Sequence, residues 1–143
     1  MDTPLFEVLG TKNKAIFSVS PATTVSEAAA EMASKKIGAV LVREGIRTVG
    51  VFTERDGLYR VLAVGRDPKT TRVVEVMTRE PLTVAPETTV GQAMRIMTER
   101  RIRRLPMVQG GEVVGLISIG DLVKWVTREN EQLVDYITGK YPG

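Results

Sequence analysis

Apolar and polar positions follow the same order twice along this chain. In each copy a short apolar stretch closed by a proline precedes apolar residues at helical spacing, two apolar stretches joined by a turn, and a second helical pattern. Val19 to Asp56 corresponds to Val84 to Asp121 at one constant offset and without a gap, and 12 of these 38 positions are identical. In the first copy the identical residues are Val19, Pro21, Thr23, Thr24, Val25, Ala28, Met32, Ile37, Gly45, Val49, Gly50 and Asp56. Such a repeat indicates two copies of one supersecondary unit.

Each copy predicts the element order strand, helix, strand, strand, helix. Thr24 with Glu27 and Thr89 with Gln92 have the spacing of a capping box, which satisfies free N–H groups where a helix begins. Strands are predicted at 15–19, 37–42 and 49–52, and again at 81–84, 105–108 and 113–117, with second helices through 58–62 and 122–126. The fold class is therefore α+β. Because one unit has too few elements to cover both faces of its sheet, the tandem repeats are expected to pack around a pseudo-twofold axis.

A short helical segment precedes each copy. The pattern at 4–10 predicts an amphipathic helix, and 73–77 repeats it with Glu75 in the place of Glu7. The offset between these two segments is slightly larger than between the copies, so the first copy has a small insertion before its strand. The chain thus divides into a first repeat with its lead-in helix (1–72), a second repeat (73–130) and a helical extension (131–143). In the extension, Leu133, Tyr136 and Ile137 either cap the fold or form a dimer contact.

Composition narrows the chemistry. The 143 residues are 43% hydrophobic, enough for a buried core, and include neither cysteine nor histidine. Disulfides, thiolate metal sites and a cysteine nucleophile are excluded, and no nucleophile–base pair can be assembled for catalysis. We therefore expect no enzyme, no metal site and no catalytic cofactor. An acidic residue at position 2, and the lack of an apolar run long enough to cross a bilayer, favour a soluble, cytoplasmic protein without membrane contact.

Two tetrapeptides could bind a ligand. Thr53-x-x-Asp56 and Ser118-x-x-Asp121 each lie between a predicted strand and a predicted helix, where free backbone N–H groups favour an anion. The hydroxyl suits a phosphate oxygen, and the carboxylate suits the two hydroxyls of a ribose. The same spacing is also that of a capping box, and taken alone it favours simple capping.

The basic residues cluster at Arg100, Arg101, Arg103 and Arg104. Such a run is usually the solvated end of a helix, where cations are favourable. Arg103 and Arg104, however, lie past the predicted helix at the start of a strand, and the first copy has Gly38 and Ala39 in the corresponding places. The two copies are therefore electrostatically unequal, which a purely structural repeat does not require.

Four motifs stand out along the chain: the V-x-P-x-x-T-V start of each copy, the strand from Ile102 to Val108, the V-G-[LV]-[IF]-[ST]-x-x-D close, and the linker Val76-Met77-Thr78. Together they resemble the CBS (cystathionine beta-synthase) domain pair, also called a Bateman module. Each motif is common, but the combination is specific and covers nearly the whole chain. The chain is therefore similar to the stand-alone two-repeat members of the family.

The resemblance implies a non-catalytic regulatory module that binds an adenine nucleotide in clefts between the repeats, AMP first, with ADP or ATP as alternatives. The implied first cleft consists of Val51, Thr53, Asp56, Leu82, Ile102, Arg103 and Arg104. The implied second cleft consists of Ala15, Phe17, Ile37, Gly38, Ser118, Gly120 and Asp121. The first ranks higher, because Arg103 and Arg104 match family positions that meet phosphate. The resemblance also implies a homodimer and leaves room for an unidentified protein partner.

Two other functions stay open at this point. The arginine run could bind nucleic acid, although the aromatic content of 5% offers few stacking platforms and the net charge is only +3. A structural dimerisation module without ligand is the other alternative. The two Thr/Ser-x-x-Asp tetrapeptides together with the unequal arginines make nucleotide binding the leading hypothesis.

Overall fold

The computed structural model describes residues 1–10 and 16–129. Candidate residue Ala15 and the predicted extension 131–143, with Leu133, Tyr136 and Ile137, lie outside these ranges. The helices are α1 (Leu5–Gly10), α2 (Val25–Lys35), α3 (Glu54–Gly57), α4 (Val73–Val76), α5 (Val90–Arg100) and α6 (Ile119–Glu129), with a π-helix at Leu58–Leu62. The strands are β1 (Ser18–Val19), β2 (Ala39–Glu44), β3 (Arg47–Thr53), β4 (Thr78–Arg79), β5 (Arg104–Gln109) and β6 (Glu112–Ser118). The predicted α+β class is confirmed.

The chain forms two compact units. The central unit is Ala15–Leu82, and the terminal unit combines Met1–Lys14 with Thr83–Gly143. Helix α1 therefore packs with the second repeat: Leu5 N–H donates to the Thr88 carbonyl at 2.8 Å, and Val90 N–H donates to the Thr3 carbonyl at 2.8 Å. Helix α4 packs with the first repeat in the same way. The predicted ranges 1–72 and 73–130 each include the lead-in helix that precedes the repeat in sequence. In the structure, each lead-in helix packs with the other repeat.

The central unit is built on a four-stranded sheet with the order β1-β2-β3-β4. Strand β1 runs parallel to β2, and β3 runs antiparallel to both β2 and β4. Its core includes Val25 and Met32 from α2, Phe52 from β3, and Val61 from the π-helix. Strand β4 was not predicted, because its two residues, Thr78 and Arg79, carry no alternating apolar pattern.

The terminal unit repeats the hairpin of the central unit in the same register. Leu105 faces Ile117 as Val40 faces Phe52, and both hairpins carry an irregularity at corresponding places, after Met107 and after Val42. The strand predicted at 81–84 is wrong. A single parallel bridge between Val84 and Met107 replaces it, with Val84 N–H donating to the Pro106 carbonyl at 3.0 Å. Pro81 has no N–H to donate and Glu80 has a positive φ of 45°, so the chain turns before it can pair further.

Both predicted capping boxes are confirmed. Thr24 Oγ1 accepts from Glu27 N–H at 3.1 Å while Glu27 Oε1 accepts from Thr24 N–H at 3.1 Å, and Thr89 with Gln92 repeats the arrangement at 3.2 and 3.0 Å. Because the Glu27 carboxylate accepts this backbone hydrogen bond, and a second from the Thr24 hydroxyl, its pKa lies below the usual 4.5. Helices α2 and α5 thus begin with the same hydrogen bonds, but Glu27 in α2 can titrate whereas Gln92 in α5 cannot.

Each lead-in segment places a side chain against a glycine of a strand in the same unit. A Cβ atom on Gly50 would lie 2.6 Å from Met77 Sδ and 2.7 Å from the Thr78 carbonyl oxygen, and one on Gly115 would lie 2.8 Å from Leu9 Cδ1. Met77 corresponds to Leu9 at the same offset that relates Glu75 to Glu7. The duplication therefore extends to the contact that attaches the lead-in.

We expect Gly50→Ala to destabilise the protein by about 1–3 kcal/mol and Gly115→Ala by less, since the first must move a strand carbonyl and the second only a flexible side chain. Urea unfolding measures both. Adding Leu9→Ala should relieve part of the Gly115→Ala cost and none of the Gly50→Ala cost. Equal costs for the two single variants would contradict this account of the lead-in contacts.

The first capping box should also give a pH-dependent contribution to stability. A lowered pKa in the folded state stabilises the fold above the unfolded value of 4.5, and this contribution disappears as the pH falls through the folded pKa. The difference in Tm between wild type and Glu27→Gln should therefore shrink as the pH falls below that value. Thermal scans from about pH 3 to about pH 7 measure it. A pH-independent difference would show that the Glu27 carboxylate does not contribute as a charged acceptor.

Candidate functional site

Both candidate tetrapeptides form reciprocal hydrogen bonds where a strand turns into a helix. Thr53 Oγ1 accepts from Asp56 N–H at 3.1 Å, and Asp56 Oδ2 accepts from Thr53 N–H at 3.0 Å. Ser118 Oγ accepts from Asp121 N–H at 3.1 Å, and Asp121 Oδ2 accepts from Ser118 N–H at 2.8 Å. The capping interpretation is thus correct for both. Since each carboxylate uses one oxygen for the cap, capping does not by itself exclude a ligand at the other oxygen.

A further backbone hydrogen bond joins each tetrapeptide to the start of the preceding hairpin. Glu54 N–H donates to the Gly38 carbonyl at 3.0 Å, and Ile119 N–H donates to the Arg103 carbonyl at 2.8 Å. These bonds occupy corresponding positions of the repeat. In the terminal unit they place Arg103 beside the Ser118 junction, and in the central unit they place Gly38 beside the Thr53 junction.

The arginine run divides as the sequence predicted. Arg100 ends α5, and Arg101 adopts the left-handed conformation that stops it, with a φ of 54°. Arg103 is exposed, and the half-buried Arg104 begins β5 opposite Ser118. In the central unit the corresponding Ala39 is buried opposite Thr53. Two cations therefore stand at one strand–helix junction, whereas Gly38 and Ala39 occupy the corresponding backbone positions of the other.

The two aspartates have different surroundings. Asp56 is 6% exposed, whereas Asp121 is half-buried. The Thr78 hydroxyl lies 3.3 Å from Asp56 Oδ1 and 3.4 Å from Oδ2, and Arg60 Nε lies 3.7 Å from Oδ1. A buried carboxylate requires such partners, because an unpaired charge in the interior is strongly unfavourable. Asp56 is therefore part of the interior of the central unit as well as a cap.

Arg60 is oriented by the π-helix. Ala63 N–H donates to the Leu58 carbonyl and Arg66 N–H to the Val61 carbonyl, each at 2.9 Å, and the five-residue spacing widens this turn relative to α6. Arg60 Nη1 donates to the Met77 carbonyl at 3.1 Å and to the Val76 carbonyl at 3.4 Å. Arg60 is not among the site residues predicted from the sequence, and Thr78 was predicted only as part of the linker. The four-residue spacing of Asp56 and Arg60 is the one signal that could have identified Arg60.

The other candidate residues differ in exposure. Val51 is buried in β3, whereas Leu82 is 43% exposed and Gly120 is exposed. Ile37 and Ile102 are half-buried at corresponding positions and each packs against the core of its own unit. Phe17 is half-buried and lies under Lys35 Nζ, 4.9 Å from the ring centroid. Each predicted cleft draws residues from both units, and its assembly stays a prediction.

An open apolar groove of about 460 Å³ lies in the central unit between α2 and the α3–π-helix segment. Ala29, Ala33, Leu58 and Leu62 are among its lining residues, with Glu54 and Ser26 as polar members. Of the described candidate site residues only Ile37 contributes to it. The groove is therefore separate from the Asp56 carboxylate.

Across residues 1–10 and 16–129, no group of three or more acidic side chains is placed to hold a metal ion. The same part of the chain contains no helix that is both long and apolar enough to span a membrane.

A family model for the CBS domain matches residues 5–62 and again 73–128. The chain is 39% identical over 127 residues to the CBS domain-containing protein CBSX3, mitochondrial, of Arabidopsis thaliana, covering 82% of this chain and 62% of that protein. The chain thus spans less than two thirds of that relative's length.

Solved structures with CBS domains are also similar. One, described as a signal-transduction protein with CBS domains from Burkholderia ambifaria, has a TM-score of 0.86 at 40% identity, covering 90% of this chain and 96% of that one. Another is a CBS domain protein from Pyrobaculum aerophilum complexed with AMP, with a TM-score of 0.72 at 27% identity, covering 82% of this chain and 88% of that one.

We expect Asp56→Ala to destabilise the protein by about 2–4 kcal/mol and Asp121→Ala by about 1 kcal/mol, since the first also removes the acceptor of the Thr78 hydroxyl and the charge partner of Arg60. Urea denaturation at neutral pH measures both costs. Asp56→Asn, which keeps an oxygen for the cap, should recover part of the loss. A larger cost for Asp121→Ala would contradict the interior role assigned to Asp56.

Proposed function

The chain belongs to the CBS-domain family, and on that premise we propose that it is a non-catalytic regulatory module that binds an adenine nucleotide, AMP in the first place. A carboxylate and a hydroxyl at a strand–helix junction suit the hydroxyls of a ribose and a phosphate oxygen. The observation that supports the proposal is that two otherwise corresponding junctions differ in charge: Arg103 and Arg104 stand beside Ser118, whereas Gly38 and Ala39 stand beside Thr53. In the clefts proposed below, as the family resemblance implies, each of these pairs serves the aspartate of the other repeat.

The chemistry of AMP matches these groups. Its phosphate is dianionic near neutral pH, and guanidinium groups bind phosphate oxygens through paired hydrogen bonds. Its ribose offers two adjacent hydroxyls to an aspartate, and its adenine offers an apolar face to strand side chains. The AMP bound by the Pyrobaculum aerophilum protein supports this ligand class for a chain of the same family.

We propose the same two clefts that the family resemblance implies. In the first, Arg103 and Arg104 meet the phosphate, Asp56 meets the ribose, and Val51, Leu82 and Ile102 provide apolar surface. In the second, Asp121 and Ser118 take the corresponding roles with Gly38 in place of an arginine. The first cleft should bind AMP more tightly, because an arginine hydrogen bond to an anion is stronger than a contact with a neutral group.

We also propose that the module works as a cytoplasmic homodimer. A closed two-fold dimer is the commonest assembly of a soluble chain, and the absence of cysteine suits a reducing compartment. Bound nucleotide would then change the dimer or its affinity for a protein partner.

Titration calorimetry with AMP, ADP and ATP tests the proposal. We expect saturable binding of AMP at submicromolar to millimolar concentration, and weaker binding of adenosine, which lacks the phosphate. Absence of heat and of any thermal shift at millimolar nucleotide would overturn the proposed function. A gel shift by random DNA that persists at moderate salt would favour nucleic acid instead.

Replacing both phosphate-binding arginines should separate the phosphate contact from the rest of the site. We expect Arg103→Gln with Arg104→Gln to weaken AMP by about tenfold or more and to leave adenosine nearly unchanged, since hydrogen bonds to charged groups are the stronger class. Arg100→Gln, on the exposed end of α5, is the matched control and should change neither. An equal loss for AMP and adenosine would mean that these arginines support the fold rather than the phosphate.

Variants of the two aspartates test which cleft binds AMP more tightly. We expect Asp56→Asn to weaken AMP more than Asp121→Asn does, with calorimetry as the measurement. Equal losses, or a larger loss for Asp121→Asn, would reverse the ranking while leaving nucleotide binding itself intact.

A further inference from the structure

Asp56 is fastened to the segment that leads out of the central unit. Thr78, the first residue of β4, donates its hydroxyl to the carboxylate, and Arg60 lies beside the same carboxylate while donating to the Val76 and Met77 carbonyls. Three consecutive residues, 76 to 78, are thus connected to one buried carboxylate, directly and through Arg60.

The Thr78 hydrogen bond is longer than the capping bond on the same carboxylate. The Thr78 hydroxyl is shared between Oδ1 at 3.3 Å and Oδ2 at 3.4 Å, whereas the capping N–H of Thr53 lies 3.0 Å from Oδ2. Hydroxyl donors normally approach an oxygen to about 2.7–2.8 Å, so this one is long and divided. A hydroxyl that reached Asp56 at ordinary length would replace Thr78 without disturbing the cap.

The second repeat carries different residues at both donor positions. Trp125 occupies the place of Arg60 in the repeat, and Gly10 occupies the place of Thr78 in the lead-in. Gly10 has no side chain to donate, and Trp125 Nε1 is buried without a hydrogen-bond partner among the described residues. The residues directly before Thr78 and Gly10 support this equivalence. Met77 lies against Gly50, and Leu9 lies against the corresponding Gly115.

We propose that the Thr78 hydroxyl is an internal placeholder on Asp56, which a ligand hydroxyl displaces, so that occupancy of Asp56 releases β4. The inference rests on the proposed function, because it needs a ligand that offers a hydroxyl to this aspartate. It adds a regulatory role for Thr78, a residue that the sequence motifs placed only in a linker. At the corresponding place in the terminal unit, Gly10 has no hydroxyl that could act on Asp121 in this way.

Strand β4 is suited to such a response. It consists of Thr78 and Arg79 and pairs with β3 through Gly50 and Val51. Short pairings with few neighbours open at low cost, so the loss of one anchor changes their exchange with solvent measurably. The strand ends shortly before Thr83, where the terminal unit begins. Release of β4 would therefore free the last residues of the central unit.

Two variants at one position test the placeholder in the full chain. Thr78→Val keeps the shape and removes the hydroxyl, whereas Thr78→Ser keeps the hydroxyl. We expect Thr78→Val to bind AMP about two- to tenfold more tightly than wild type, since the ligand no longer displaces an internal hydrogen bond, and Thr78→Ser to match wild type. Weaker or unchanged binding by Thr78→Val would overturn the placeholder.

Hydrogen exchange of the β4 amides supplies a readout that does not depend on affinity. AMP should speed exchange in β4 of wild type, while Thr78→Val should exchange faster already without ligand and respond little to AMP. If the β4 amides of ligand-free Thr78→Val exchanged at the wild-type rate, Thr78 would not anchor β4, whether or not nucleotide binds. If wild type bound no AMP, the proposed function and the displacement would both be wrong, although faster exchange in Thr78→Val would still identify Thr78 as the anchor of β4.

Discussion

In both repeats the chain turns from its last hairpin strand into the following helix on a pair of reciprocal hydrogen bonds. The hydroxyl of Thr53 or Ser118 accepts from the aspartate N–H three residues later, and that aspartate accepts from the hydroxyl residue's own N–H. The residue directly after the hydroxyl residue, Glu54 or Ile119, donates its N–H to a carbonyl just before the first strand of the hairpin. The turn fixes the direction of the helix, satisfies its first donors and presents a carboxylate, so the fold and the candidate site depend on the same few atoms.

The repeats keep this turn and differ in what surrounds it. The terminal unit adds Arg103 and Arg104 at its junction, whereas the central unit adds Arg60 and Thr78 around its aspartate. The first difference supplies charge for a phosphate. The second fastens a carboxylate to residues near the end of the central unit. A duplicated fold thus provides two similar positions, and the proposed sensing function depends on the side chains by which they differ.

Local features were predictable from the sequence because their partners lie a few residues apart. The capping boxes at Thr24 and Thr89 are complete within one helical turn, and the hairpin register follows from the repeat itself. The bond between Thr78 and Asp56 joins residues 22 apart, and β4 has no pattern of its own. The packing of the lead-in helices was hidden for another reason: α1 and α4 are copies of one element, so the sequence alone does not show which repeat each of them packs against.

We propose that nucleotide is recognised at the strand–helix junctions. A map of backbone amide chemical shifts during titration with AMP shows whether it is, because the shifts report where the ligand acts. We predict saturable shifts at Thr53–Asp56 and at Arg103–Arg104, with weaker ones at Ser118–Asp121. Shifts confined to the apolar groove between α2 and the π-helix, or no saturable shifts at all, would contradict it.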